Sequence, residues 1–329
     1  MQNCRHLQPT RRSPIKLATL DNGNAGHPAV LTSDNEFLDL SASGFAAHVP
    51  AEVSDILGSA DALAGVQTAL DHLDTMSDDA RQALRQYGSL IPFGEADLLA
   101  PVPRPNLILS VGLNYHHHLA EMAGTPAPKF PSAFMKTGVS LTGSGKPIVV
   151  PPQCPDMIDY EAEFCFVFGR TCHNASEAEA MDYVAGYTIA NDVSARDWVS
   201  DVFTVKEPFP AILAWERNIM GKLFPTFTPC GPVITTKDEI DNPHDLLLEM
   251  QLNGETMQST RTDDLIFNIP QIVSYFSKWY RFEPGDIVTT GTPAGVGAGR
   301  KPQIFMKPGD RAEVSLEGVG VLSNPVMAG

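Results

Sequence analysis

The chain has 329 residues, 43% of them hydrophobic, which is enough to form two domains, or a large domain and a small one, around buried cores. Its formal net charge of −16 disfavours nucleic acids and anionic membranes as partners, because both carry negative charge themselves. No apolar run reaches the ~18 residues that a membrane-spanning helix requires. A small anionic substrate remains compatible with this charge, since a bound cation or local basic side chains can reverse the field at a site.

The cysteines bear on the cellular compartment. Five are present, an odd number without a Cys-x-x-Cys pair: Cys4, Cys154, Cys165, Cys172 and Cys230. This pattern is typical of reduced thiols, so we expect an intracellular, cytoplasmic protein. Residues 1–14 contain basic but no acidic side chains, which fits either an organellar targeting peptide or a disordered tail. We predict the tail.

The first third of the chain predicts a small α/β domain. Residues 15–40 alternate apolar and polar side chains around two turn sequences, which indicates short strands. Residues 51–87 change to a helical period, with Ser77 as a candidate helix N-cap. Three prolines between residues 101 and 105 then indicate a stiff linker. We therefore predict a domain over residues 15–100 and a larger domain over residues 101–329.

The larger domain has mostly strand and turn patterns. A helical spacing of apolar residues occurs over Ile269–Tyr280. The predicted strands are Leu107–Val111, a hairpin from Leu246 to Gln258 around Asn253-Gly254, Ile287–Thr290 and Ala312–Leu316. The predicted fold class is mainly β with α: a mixed β-sandwich or roll with a few helices, preceded by the small α/β domain.

Three acidic residues form a candidate metal site. Glu161 and Glu163 open an apolar strand on which alternate side chains share a face, and Asp192 ends a second buried strand, Tyr183–Ala190. Three carboxylates without sulfur or imidazole suit Mg²⁺ or Mn²⁺, with Ca²⁺ as a further candidate, and argue against zinc or copper. Outward-facing strand residues, or an Asx-turn at Asp192, would explain the same sequence without a metal.

A second candidate site follows from three consecutive histidines, His116 to His118. Neighbouring residues on a helix point about 100° apart, so these three imidazoles cannot all face one ion. His118 and Glu121 lie three residues apart and would share a helix face. A carboxylate in that position can orient an imidazole that acts as a general base. An exposed helical ion pair is the alternative.

Several ordered motifs carry a resemblance to a known family. They are Gly112-Leu113-Asn114-Tyr115-x-x-His118-x-x-Glu121, Asp159-Tyr160-Glu161-x-Glu163, Tyr183-Val184-Ala185-Gly186-Tyr187, Asn191-Asp192-Val193-Ser194-Ala195-Arg196-Asp197, Gly221-Lys222, Asn253-Gly254-Glu255, Asp264-Leu265-Ile266-Phe267 and Gly291-Thr292-Pro293-Ala294-Gly295-Val296-Gly297. In this order they resemble the fumarylacetoacetate hydrolase superfamily over about residues 104–326. The resemblance implies a homodimeric, Mg²⁺- or Mn²⁺-dependent enzyme that acts on 2,4-diketo acids (acylpyruvates) or their relatives.

The resemblance also implies roles for single residues. The family's Asn-Tyr-x-x-His pattern falls on His118, which with Glu121 would activate a water molecule. Lys222 would stabilise an oxyanion or protonate the leaving carbon, although any lysine can be an ordinary surface residue. Thr292 is a candidate contact for the substrate carboxylate, and Lys136 and Arg196 are further candidates for substrate anions.

The leading functional prediction is therefore hydrolysis of a C–C bond in a 2,4-diketo acid by an acylpyruvase-like enzyme. The same cation-assisted enolate chemistry also serves decarboxylation of a β-keto acid of the oxaloacetate type and isomerisation of a dienoate. A non-catalytic member that keeps the fold is the alternative from another class.

The chain departs from the family pattern around the expected substrate pocket. Val199 stands where the family often has Gln in Arg-Asp-x-Gln, Pro225 stands where Asp is usual, and Arg261 replaces a usual Asn. The segment Ser200–Arg217 adds several large side chains: Phe203, Phe209, Pro210 and Trp215. We predict an altered pocket that prefers a less polar leaving group.

Overall fold

The computed structural model describes residues 14–42, 44–45, 49–122, 126–199 and 204–329. Its α-helices are α1 Val53–Leu57, α2 Ala60–Thr75, α3 Asp78–Gln86, α4 His116–Glu121, α5 Ala180–Tyr183, α6 Pro208–Met220 and α7 Ile269–Phe276. Its first ten strands are β1 Lys16–Leu20, β2 His27–Leu31, β3 Glu36–Asp39, β4 Leu90–Pro92, β5 Leu98–Leu99, β6 Ile108–Gly112, β7 Ser132–Lys136, β8 Leu141–Thr142, β9 Ile148–Val150 and β10 Ile158–Asp159. The others are β11 Ala162–Phe168, β12 Val184–Asn191, β13 Ser194–Ala195, β14 Thr228–Thr236, β15 Leu247–Leu252, β16 Glu255–Arg261, β17 Ile287–Thr289, β18 Arg311–Leu316 and β19 Gly320–Ala328. Apart from Pro14, the tail predicted for residues 1–14 lies outside the described ranges.

Two sheets form the body of the structure. The larger, twelve-stranded sheet runs in the order β4-β3-β2-β1-β14-β12-β11-β17-β6-β7, with β5 beside β1 and β8 beside β14. The smaller, five-stranded sheet has the order β16-β15-β18-β19-β9. Most neighbours are antiparallel, while β17 and β6 are parallel, so the sheets are mixed. The predicted class, mainly β with a few helices, is confirmed.

The central strand β11 is buried on both faces, which explains its uninterrupted apolar sequence. Phe164, Phe166 and Phe168 point into the core that the two sheets share. Cys165 and Val167 point the opposite way, into a second core beneath helices α1 and α2. The strand is thereby fixed from both sides, and the residues at its amino-terminal end are held in place.

The amino-terminal region continues the large sheet. Strand β1 pairs antiparallel with β14, in the register Lys16 with Thr235 and Leu17 with Ile234. Helix α3 begins at the predicted cap, where the Ser77 hydroxyl group accepts a hydrogen bond from Ala80 N. The larger sheet therefore contains strands from both sides of the predicted boundary at residues 100–101. The division into two domains at that point remains a prediction.

Other local predictions agree with the structure to within a few residues. The hairpin β15–β16 turns at Asn253 and Gly254, both with positive φ, as Asn-Gly hairpins do. Helix α7 ends at Phe276, four residues before the predicted end. The segment Ser200–Arg217 becomes helix α6 from Pro208 onward, which its proline at the first helical turn favours. In the described part of the chain, every helix is too short or too polar to cross a membrane.

Candidate active site

A cavity of about 520 Å³ opens where the ends of the central strands meet α4 and α6. Its lining includes eight of the nine site residues predicted from the sequence: His118, Glu121, Glu161, Glu163, Asp192, Arg196, Lys222 and Thr292. The ninth, Lys136, is buried behind the wall. Residues from several separate stretches of the chain therefore converge on one site, as they do in enzyme active sites.

The acidic triad lies at the floor of this cavity. Antiparallel pairing of β11 with β12 sets Ala162 opposite Asn191, which brings the next residue, Asp192, beside Glu161. A hydrogen bond of 2.9 Å from Asp192 N to Glu161 O fixes this approach. One carboxylate oxygen from each of Glu161, Glu163 and Asp192 lies within 4.8 Å of the others, and all three residues are buried.

Lys222 is the principal cation of the floor. Its Nζ donates to Glu161 Oε2 at 2.6 Å, to Asp192 Oδ2 at 2.7 Å and to Ser194 Oγ at 2.8 Å. Burial alone would lower the pKa of Lys222, but the charges of Asp192 and Glu161 outweigh it and raise that pKa. Burial likewise favours neutral Glu161, yet Lys222 and Arg196 lower the pKa of Glu161 to about 2. Both groups are therefore charged at neutral pH.

Arg196 bridges the floor to a residue that sequence reasoning did not assign. It donates from one guanidinium nitrogen to Glu161 and from Nε to Asp159 Oδ2 at 3.0 Å. Asp159 also accepts the backbone N–H groups of Gly297 at 2.6 Å and Ala298 at 3.2 Å. Asp159 thus ties the glycine-rich turn to the floor, and its spacing two residues before Glu161 was the available signal.

Lys136 occupies a different position from the one predicted. Its side chain has no exposed surface, and it donates to Asp192 and to the carbonyl oxygen of Phe227 at 3.1 Å. Burial lowers the pKa of Lys136, while the charge of Asp192 opposes that change. The structure therefore presents Lys136 as the charge partner of Asp192, and the cavity surface does not include it.

Glu163 differs from the other two carboxylates, because no ion pair to it occurs among the described residues. Its Oε2 accepts the N–H of Gly291 at 3.1 Å. Burial, with the charges of Asp192 and Glu161, raises the pKa of Glu163 well above its usual range. An excess of buried negative charge in an all-oxygen donor set fits a divalent hard cation, which would favour the ionised form.

The predicted His118–Glu121 pair lies on α4 at the rim of the cavity. His118 Nδ1 is 3.5 Å from Glu121 Oε2, close to it but without hydrogen-bond geometry. The Glu121 carboxylate instead accepts the N–H of Gly295 at 2.9 and 3.0 Å. His117 points away from the cavity, toward Asp264. The two residues are adjacent as predicted, whereas the bond between them is not formed in this structure.

Thr292 lies in the glycine-rich turn that follows β17 and extends to residue 297. Its Oγ1 accepts a hydrogen bond from Gln258 Nε2 at 2.9 Å, so its own hydroxyl hydrogen remains able to donate into the cavity. The turn passes so close to β16 that a Cβ on Gly295 would lie 2.3 Å from Met257 O, at a φ of +99°. Glycine is therefore required there, and its N–H holds the Glu121 carboxylate.

The residues predicted to alter the pocket divide into two groups. Val199, 3% exposed, and Trp215 line the cavity, whereas Phe209 and Pro210 face outward. Phe203 lies outside the described residues. The cavity also contains a buried amide, Asn218, that no sequence pattern singled out. Only the direction in which α6 packs brings this side chain to the site.

Comparisons with known proteins agree with this architecture. A human mitochondrial oxaloacetate tautomerase, FAHD2B, is 38% identical over 252 residues, which cover 75% of each chain. The maleylpyruvate hydrolase of Sphingobium sp. SYK-6, solved with manganese(II) and pyruvate, is 26% identical with a TM-score of 0.70, over 95% of this chain and 99% of that one. A fumarylacetoacetate hydrolase from Exiguobacterium antarcticum is 29% identical with a TM-score of 0.73, over 96% and 100%. Residues 107–327 match the family described as fumarylacetoacetate (FAA) hydrolase, C-terminal, and the chain belongs to this family.

Proposed function

We propose that the protein is a divalent-cation-dependent hydrolase that cleaves the C3–C4 bond of a 2,4-dioxo acid. The observation that carries the proposal is the buried carboxylate triad at the floor of a cavity whose rim holds His118 beside Glu121. Glu161, Glu163 and Asp192 would hold Mg²⁺ or Mn²⁺. When bound, the cation supplies Lewis acidity toward the oxygens of a dioxo acid. The manganese complex of the similar maleylpyruvate hydrolase supports this choice of cation.

The side chains of the site can divide the reaction among them. Thr292 would donate its hydroxyl hydrogen to the substrate carboxylate, and C4 would then face His118 at the rim. His118, oriented by Glu121 once α4 closes the remaining gap, would take a proton from a water molecule that attacks the C4 carbonyl. The C3–C4 bond then breaks, and C3 keeps the electron pair as an enolate. Protonation at C3 yields a 2-oxo acid such as pyruvate, together with the carboxylic acid that contains C4.

Charged groups near the floor would stabilise the developing negative charge. Lys222 remains protonated because Glu161 and Asp192 surround it. Its ammonium group is therefore placed to stabilise an oxyanion or to deliver the proton to C3. Arg196 keeps Glu161 ionised and faces the cavity with the rest of its guanidinium group. Lys136 neutralises Asp192 from behind, which is a supporting rather than a substrate-binding position.

Keto–enol tautomerisation of oxaloacetate is the second candidate. The 38% identity with oxaloacetate tautomerases favours it, and the unformed bond between His118 and Glu121 is compatible with it. A tautomerase needs one proton-transfer group and an activated enolate, but it needs no activated water. The names of these relatives also raise a mitochondrial location as the alternative to the cytoplasmic one.

One experiment separates the candidates. The metal-free protein is given Mg²⁺ or Mn²⁺ together with 2,4-dioxopentanoate, its 4-phenyl analogue or enol-oxaloacetate. We expect both acylpyruvates to release pyruvate, with acetate or benzoate as the second product, only when a cation is present. Faster loss of the enol form of oxaloacetate without pyruvate would identify a tautomerase, and pyruvate with CO₂ a decarboxylase. No cation-dependent turnover of any of these acids would overturn the proposal. Light scattering tests the expected homodimer.

A further inference from the structure

Helix α6 presents one row of side chains to the cavity. Trp215, Asn218 and Lys222 all line it, at spacings of three and four residues that place them on one helical face. The helical path continues through Gly221, whose φ of −63° and ψ of −9° keep Lys222 on the same face. Lys222 contacts the acidic floor and Trp215 lies 44% exposed at the mouth. Asn218 therefore lies between floor and mouth, about one helical turn or ~6 Å along the axis from Lys222.

The side chain of Asn218 is buried yet lacks a partner. It is 7% exposed, and within the described ranges no hydrogen bond or ionic contact engages its amide group. The amide atoms are not among the fully enclosed polar atoms that lack a partner, so they reach the cavity space. There a ligand can satisfy the donors and the acceptor that a largely buried amide normally pairs. Helix α6 packs on the turn Asp197–Val199, and the residue of this turn that lines the cavity is Val199, whose apolar side chain offers no hydrogen bond. The amide is therefore available to a ligand.

The charges around the cavity restrict what that ligand can be. Four carboxylates and two permanent cations line the wall, so one divalent ion balances the excess negative charge. The two cations, Lys222 and Arg196, are already engaged by Glu161, Asp192 and Asp159. A second substrate carboxylate near Asn218 would lose its hydration without an unengaged cation in the cavity lining, which is unfavourable. A neutral carbonyl oxygen needs only a hydrogen-bond donor, and an amide N–H supplies one.

We propose that Asn218 is a substrate-binding, specificity-determining residue that donates a hydrogen bond to the 4-oxo oxygen of an acylpyruvate. The uncharged acyl substituent would then pack against Val199 and Trp215. This inference rests on the proposed function, and it narrows the substrate to 2,4-dioxo acids with a neutral alkyl or aryl group beyond C4. Asn218 on α6 would also supply the amide that the family often has as Gln at the position of Val199.

The test compares acylpyruvates, which carry the 4-oxo oxygen, with oxalate, an inhibitor that lacks it. In Asn218→Leu, which has a similar volume, kcat/KM for 2,4-dioxopentanoate and its 4-phenyl analogue should fall about tenfold or more, the scale of one lost hydrogen bond to a buried partner. Asn218→Asp should lose at least as much, because its carboxylate cannot donate. Oxalate resembles only the 2-oxo carboxylate end of the substrate and lacks the 4-oxo oxygen, so its inhibition constant should stay within about twofold of the parent value. Glu216→Gln, on the exposed side of the same helix, is the matched control and should behave as the parent.

Two results would overturn the role of Asn218. One is unchanged kcat/KM for both acylpyruvates in Asn218→Leu; the other is an equal loss in oxalate inhibition, which would indicate a merely structural side chain. If the parent protein binds Mn²⁺ but turns over no acylpyruvate, the hydrolase proposal fails separately. Competition of 2,4-dioxopentanoate with oxalate for the Mn²⁺-loaded protein then still tests Asn218, since only the former should weaken in Asn218→Leu.

Discussion

Lys136 donates a hydrogen bond from its fully buried ammonium group to Asp192, the carboxylate that we propose as a cation ligand. Asp192 thus has two functions, since it also neutralises a lysine that water cannot reach. Asp192→Ala should abolish Mn²⁺ binding and also leave Lys136 without its counter-ion, which costs about 3–5 kcal/mol for a buried pair. Calorimetry with Mn²⁺ and urea unfolding at neutral pH measure the two effects. Unchanged Mn²⁺ affinity would show that the ligand assignment is wrong.

Glu163 allows the ligand role to be tested without that loss of stability. Its carboxylate has no basic partner among the described residues, and burial with two like charges raises its pKa. Glu163→Gln keeps the shape and removes the charge, so Mn²⁺ affinity and cation-dependent activity should fall by about tenfold or more. The unfolding free energy of the metal-free protein should stay equal or rise, because a buried repulsion disappears.

The control for that variant is Glu255→Gln, at an exposed carboxylate outside the cavity. It should bind Mn²⁺ as the parent does. If Glu163→Gln and Glu255→Gln bound Mn²⁺ equally well, Glu163 would not be a ligand.

The floor of the site was predictable from the sequence because its determinants are local. Glu161 and Glu163 share a strand face by their spacing of two, and Asp192 follows a strand of its own. The pairing of Ala162 with Asn191 then fixes their meeting, and the family motifs supplied that long-range information. The sequence contained no comparable signal for the burial of Lys136 behind Asp192. This depends on the approach of β7 to Asp192 and to the carbonyl oxygen of Phe227, and such tertiary placement has no short-range pattern.

At the rim of the site, too, the sequence predicted local spacing but no long-range contact. The spacing of His118 and Glu121 predicted their proximity correctly, since three residues on a helix fix it. The hydrogen bonds from Gly295 that hold the Glu121 carboxylate come from a turn 174 residues away in sequence. Competition between these backbone donors and the imidazole could be found only in the folded structure.

His118 and Glu121 should act as a unit in catalysis. His118→Ala should lower kcat by about a hundredfold or more, the usual scale for losing a general base. Glu121→Gln should change kcat in the same direction, and the double variant should be little worse than the poorer single variant. Steady-state kinetics on an acylpyruvate give the three values. Losses that multiply in the double variant would count against a dyad, and a much milder His118→Ala effect would favour tautomerisation or decarboxylation.

His244 should make the stability of the protein depend on pH outside the active site. Its Nε2 accepts the N–H of Ile269 at the start of α7, at 3.1 Å, and burial lowers the pKa of His244. Because the folded-state pKa is lowered, His244 takes up its proton at a higher pH in the unfolded chain than in the folded protein. The contribution of His244 to stability is therefore complete above its unfolded-state pKa of about 6.5, and it is lost as the pH falls toward its folded-state pKa. The loss is ~1.4 kcal/mol for each pH unit that separates the folded-state pKa from the unfolded-state pKa.

The measurement is urea unfolding of the parent and of His244→Gln at pH 7.5, 6.5 and 5.5. Other titrating groups change both proteins alike, so the difference in unfolding free energy isolates His244. That difference should shrink as the pH falls below about 6.5. A constant difference across the series would show that His244 does not titrate differently on folding.

Val199 should set the preference of the cavity for an apolar leaving group. It is buried in the cavity wall, where burial of an apolar substituent contributes roughly 25 cal/mol per Å² of area removed from water. A carboxylate tail at this place would lose its hydration and find no amide on Val199, which costs about 1–3 kcal/mol. Arg261 cannot compensate, because it pairs with Asp245 and Glu317 away from the cavity. The parent enzyme should therefore have a higher kcat/KM for alkyl and aryl acylpyruvates than for a fumaryl one.

Val199→Gln should reduce the preference for alkyl and aryl acylpyruvates over a fumaryl one, for two reasons. The added amide can donate to a carboxylate tail, and the lost apolar area weakens the packing of alkyl and aryl groups. The ratio of kcat/KM for 2,4-dioxopentanoate to that for its fumaryl counterpart should fall by about tenfold, while oxalate inhibition stays unchanged because oxalate has no tail to reach residue 199. Val199→Ile, which keeps the wall apolar, serves as the control and should retain the ratio of the parent. Equal kcat/KM for apolar and dicarboxylate substrates in the parent enzyme would show that residue 199 does not select the leaving group.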